Sequence, residues 1–122
     1  MEKIKQYSAL IDNLIEDYSG AMKNEKIWAL GAETPEASEL HALNVCRLDK
    51  QCARLEAIKS YIEESILPEN DIQSVEQKFA NLIYYISEIM LSEKRANNVA
   101  NHTRLSNLLE LVINSTYDAL GD

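Results

Sequence analysis

The chain has 122 residues, 46% hydrophobic and 26% charged. That composition excludes a disordered segment and fits one domain over residues 1–122 with a core of its own. A formal net charge of −8 disfavours phosphate backbones and anionic membrane surfaces as partners, and leaves protein partners as the expected class.

Three glycines and two prolines leave few turns and favour long helices. The first is predicted over about 3–30. Its stripe is Ile4, Tyr7, Ile11, Leu14 and Tyr18, with Leu10, Ile15 and Met22 alongside. Ser19-Gly20 marks a soft spot, because a glycine inside a helix costs ~1 kcal/mol relative to alanine. Trp28, the single tryptophan, is expected as a core anchor or a lid on the bundle end, with a partner contact as the alternative.

A boundary follows at residues 31–35. Gly31 suits the left-handed position after a helix, Thr34 suits an N-cap, and Pro35 suits a first helical position. The second helix is predicted over 35–67 on the stripe Val45, Leu48, Cys52, Leu55, Ile58, Ile62 and Ile66. Pro68 ends it, and Asn70 with Gln73 forms a plausible capping pair for the third helix.

That third helix, predicted over 71–95, is the one around which the rest must pack. Ile72, Val75, Phe79, Leu82, Ile86 and Ile89 repeat at spacings of three and four. Ile83, Tyr84, Tyr85, Met90 and Leu91 add apolar bulk on its other faces. A helix apolar nearly all round is expected to be central in a bundle or shared between subunits.

Continuing its stripe at about 3.6 residues per turn lands on Glu93, Asn97, Arg104 and Leu111, out of phase with the late stripe Leu105, Leu108/Leu109, Val112, Thr116 and Leu120. A turn is therefore predicted within residues 94–101, then a fourth helix over 101–120 ended by Gly121. The prediction is an all-α, elongated antiparallel four-helix bundle. Few charges and a wide apolar region on the fourth helix read as an interface. Tyr84, Tyr85, Leu108, Leu111 and Val112 are the candidate interface residues, and the surplus apolar area predicts a homodimer.

Signals for chemistry are sparse. His41 and His102 have Ser38 and Val99 three residues upstream, so the Glu-x-x-His ligand pair of di-iron bundles is absent. No metal site and no cofactor are expected. Glu33, Glu36 and Glu39 read as charges favoured at a helix start. Cys46 and Cys52, six residues apart on one helix, are separated by about 9 Å of rise and cannot pair with each other. Cys52 lies on the apolar stripe and reads as a core residue, whereas Cys46 lies off it. Glu2, Lys3 and Lys5 interrupt the start of the chain, so it does not read as a secretion signal, and no apolar run reaches the ~20 residues of a membrane span. A cytoplasmic protein with reduced thiols is expected.

Arg95 and His102 stand in the run R-A-N-N-V-A-N-H. This Arg-x6-His spacing resembles the motif of HEPN domains, small all-α bundles of which many are dimeric ribonucleases. The resemblance implies a phosphate polarised by Arg95 and proton transfer assisted by His102. In class, a small acidic helical protein also resembles the flagellar and type III export chaperones, which hold a partner's amphipathic helix in an apolar groove. The expected function is a non-enzymatic protein–protein interaction module: an adaptor, chaperone or inhibitor. The alternatives are a HEPN-like ribonuclease using Arg95 and His102, and an acidic nucleic-acid mimic. The Lys and Arg scattered along the second helix weigh against the mimic.

Overall fold

Four α-helices carry the chain in the computed structural model, which describes the backbone of residues 2–119 and the side-chain surroundings of residues 6–116. They are α1 (Glu2–Leu30), α2 (Pro35–Tyr61), α3 (Ile72–Arg95) and α4 (Val99–Ala119), and a π-turn over Ile62–Ile66 prolongs α2. No strand occurs among the described residues, so the all-α class holds, with α1 paired to α2 and α3 paired to α4. Ile4, Leu120 and Gly121, counted in the sequence pattern, lie outside the residues with described side chains. No described helix is long and apolar enough to cross a membrane.

The connections follow from local chemistry, with two corrections. Thr34 Oγ1 accepts from the Ala37 amide at 3.1 Å, the N-cap expected of it. Gly31 does not take the left-handed conformation. Its amide continues the helical pattern onto the Ile27 carbonyl at 3.1 Å. The cap of α3 is Asp71 rather than Asn70: its Oδ2 accepts from the Ser74 amide at 3.0 Å. Glu69 Oε1 accepts the amides of Asn70 and Asp71, which holds the turn that presents that cap.

Between α3 and α4 the left-handed residue is Asn97, with φ of 59°. The Asn97 amide donates to Lys94 O and the Asn98 amide to Glu93 O, closing the last turn of α3 in a Schellman arrangement. Asn98 Oδ1 then accepts from the Asn101 amide, so α4 begins at Val99, two residues ahead of the sequence expectation.

Contacts group the chain into two compact units. The first joins Met1–Leu10 to Ala57–Asp122. Its core is Phe79, Leu82, Ile86 and Ile89 of α3, Leu105, Leu108 and Val112 of α4, Ile58, Ile62 and Ile66 of the α2 end, and Tyr7. Burying each such side chain contributes about 1.5–3 kcal/mol. Ile58, Ile62 and Ile66 are four apart, which in a regular α-helix drifts about 40° per step. The wider turn, with the Leu67 amide bonded to Ile62 O at 2.9 Å, absorbs that drift and keeps both later isoleucines inward. Tyr7 donates its hydroxyl proton to Leu111 O at 3.4 Å. Burial pushes its pKa up, partly opposed by a hydrogen bond with Ser115.

Helix α3 is one-sided rather than apolar all round. Of its predicted stripe, Phe79, Leu82, Ile86 and Ile89 are buried, Val75 is half-buried and Ile72, in the first turn, is exposed; Tyr84, Tyr85 and Leu91 on the other faces are exposed as well. The phase that carries the stripe onto Glu93 is real, because that carboxylate side chain is also buried.

The second unit, Ile11–Glu56, is an α1–α2 hairpin. Ile11, Leu14 and Tyr18 on α1 and Leu48, Cys52 and Leu55 on α2 are its buried apolar residues. The Cys52 thiol lies 3.9 Å from Ser19 Oγ and 4.0 Å from Ile15 O, and burial pushes its pKa up. Both cysteines are free, Cys46 exposed and Cys52 buried.

Candidate functional site

The hairpin changes character beyond its core. From Ser19 to Arg47, through the connection, no residue is buried. Helical phase continues the α1 core stripe onto Met22, Glu25 and Ala29, and the α2 stripe backwards onto Val45, His41 and Ser38. These inner positions are mostly polar or small. His41 Nδ1 and Glu25 Oε2 form a hydrogen bond of 2.6 Å, and Ser38 Oγ donates to Ala29 O at 3.0 Å. Two hydrogen bonds therefore help to close this part of the seam, beside the half-buried Met22 and Val45.

The large apolar side chains of the arm point elsewhere. Ile27, Trp28, Leu30, Leu40 and Leu43 are between 53% and 91% exposed. Trp28 is thus neither a core anchor nor a buried lid; its ring leans on His41 with centroids 5.8 Å apart. Lys26, Ala29, Leu30, Ala42, Val45 and Cys46 line an open groove whose surface is almost wholly apolar. Ala29 and Ala42 are small enough to admit side chains from outside. Isolated exposed leucines are ordinary, but a groove lined almost wholly by apolar groups, with Leu30 exposed on its rim, is a surface of the kind that marks an interaction site.

The candidate residues of the sequence reading are divided. Leu108 and Val112 are core residues of the first unit, covered within the chain, and Leu111 is half-buried. The wide apolar region of α4 closes largely on α3. Tyr84 and Tyr85 are exposed, and Tyr85 makes an edge contact with Tyr61 at 5.6 Å. The Tyr84 hydroxyl pKa is raised by its hydrogen bond to Glu88. Arg95 is exposed at the end of α3, whereas His102 borders a cleft with Lys94, Asn97, Asn98 and Val99, a set that does not include Arg95. Among the described residues, no three His, Cys, Asp or Glu side chains gather where a metal ion would bind.

The sequence matches no protein-family model, and neither a characterised protein nor a solved structure shows significant similarity to it. The site therefore rests on its own chemistry. What sequence reasoning missed is the arm itself. Leu40 and Leu43 precede the stripe that begins at Val45, and Trp28 reads first as a core or lid residue. The available signal was that Glu25, His41 and Ser38 fall in core phase on two helices that must pair, which leaves their apolar neighbours outside.

Proposed function

We propose that this chain is a non-enzymatic protein–protein interaction module that works through apolar helical surfaces, with homodimerisation among its modes. The observation that carries the reading is the uncovered apolar arm between Ser19 and Arg47. Its groove offers one amine and one thiol among apolar groups, a lining suited to side-chain burial and poor in acid–base partners. A partner that inserts leucine- or aromatic-sized anchors over Ala29 and Ala42 would remove Leu30 and its neighbours from water.

The test is a double substitution, Leu30→Glu with Leu43→Glu, at two exposed positions where the fold bears little cost. With helical content unchanged by circular dichroism, association should weaken by at least about tenfold, whether read as self-association or as capture of another protein. A folded double variant with unchanged mass and an unchanged set of captured proteins overturns the reading.

A further inference from the structure

We propose that the occupant of the arm is a second copy of this chain, α1 of each copy lying beside α2 of the other. The inference rests on the binding reading of the arm and names its partner.

The distribution of charge is the first argument. In the arm, Lys23, Lys26 and Arg47 stand against Glu25, Glu33, Glu36 and Glu39, which leaves it at −1 of the chain's −8. The other residues together carry the remaining −7. Meeting through the arms brings together a part of each copy that carries little of its net charge. A strongly basic partner helix would find most of the chain's negative charge outside the arm.

The second argument is how those charges are segregated. The exposed lysines Lys23 and Lys26 are on α1, and the exposed glutamates Glu36 and Glu39 are on α2. The Glu25–His41 hydrogen bond fixes the register within the hairpin and sets Lys26 level with Leu40, one residue from Glu39. Two arms side by side, tips at the same end and related by a twofold axis along them, place Lys26 of each copy beside Glu39 of the other. The pairing occurs twice, as an isologous contact requires. Setting α1 against α1 would oppose lysine to lysine and leave glutamate against glutamate.

Apolar complementarity is the third. Leu30 is large and exposed on the rim of the groove, and Ala29 and Ala42 form its small-residue floor between the helices. The groove thus offers both an anchor and a place to seat it. Burial supplies affinity, and the two Lys26–Glu39 pairs at the rim set orientation.

The purified chain should show the mass of two chains by light scattering and fall to one on dilution. Cys46, exposed in the groove, should react with a maleimide several-fold more slowly as concentration rises through that transition. The decisive measurement mixes two variants. Lys26→Glu alone sets glutamate against Glu39 of the other copy, and Glu39→Lys alone sets lysine against Lys26. Each variant should dimerise several-fold more weakly than the parent, and the mixture should form the mixed dimer several-fold in preference to either homodimer. A one-chain mass at every concentration overturns the proposal, as does a dimer whose mixed variants show no preference. If the chain is monomeric yet Leu30→Glu still abolishes capture of another protein, the second copy is wrong and the binding reading stands. If Leu30→Glu affects neither mass nor capture, both fall.

Discussion

Glu69 shows how much one surface side chain can organise. Its Oε2 takes a hydrogen bond from Lys78 Nζ at 2.8 Å, and Oε1 takes the amides of Asn70 and Asp71. Lys78 also donates to Ser65 O at 2.9 Å. The lysine hydrogen bond, followed by the Asp71 amide, holds the Glu69 carboxyl below its ordinary pKa. A carboxylate depressed on folding binds its proton more readily in the unfolded chain. Its stabilisation is therefore present above the ordinary glutamate pKa of about 4.3 and lost as pH falls through the lower folded value. The stability advantage of the parent over Glu69→Gln in urea should be present near pH 6 and shrink as pH falls towards about 3. An advantage constant across that range would mean the carboxylate charge plays no part. At this scale the sequence was readable in kind but not in position. It announced a polar cap after Pro68, but Asn70 and Asp71 are chemically near-equivalent as caps. The cap is Asp71, in a turn that Glu69 holds through both amides, a contact that sequence spacing does not reveal.

Helix α3 is where the sequence spoke most clearly and still misled about one face. Phe79, Leu82, Ile86 and Ile89 recur with helical spacing, and all four are buried. The apolar bulk of Tyr84, Tyr85 and Leu91 suggested burial on the other faces too, yet these three are exposed. Periodicity identifies the face that must be covered; it does not say whether a neighbour exists to cover the others. The same limit misplaced Leu108 and Val112, whose apolar width on α4 matches the stripe of α3 and leaves little surplus. Substitution separates the two faces. Leu82→Ala should cost about 2–5 kcal/mol in chemical denaturation, because it leaves a cavity in the core. Tyr84→Ala should stay within about 0.5 kcal/mol, as expected for an exposed site. Equal losses at the two positions would place Tyr84 in a packed environment that the single chain does not provide.

For the molecule as a whole, charge decides under what conditions the arms can meet. Two bodies of charge −8, treated as points about 30 Å apart, repel by about 9 kcal/mol in unscreened water. At 0.01 M salt the Debye length is about 30 Å and the repulsion falls to about 3 kcal/mol. At 0.15 M it is about 8 Å and only about 0.2 kcal/mol remains. The pairs between Lys26 and Glu39 act over a few ångströms, so the same change in salt weakens them far less, and exposed pairs contribute only about 0.2–1 kcal/mol each to begin with. The long-range term therefore wins at low ionic strength, and apolar burial wins once that term is screened. Self-association should tighten by at least about tenfold between 0.01 M and 0.15 M salt and then level off. Sedimentation equilibrium across that series checks it. Association that instead weakens steadily with salt would mean ion pairs, not the leucines of the arm, hold two copies together.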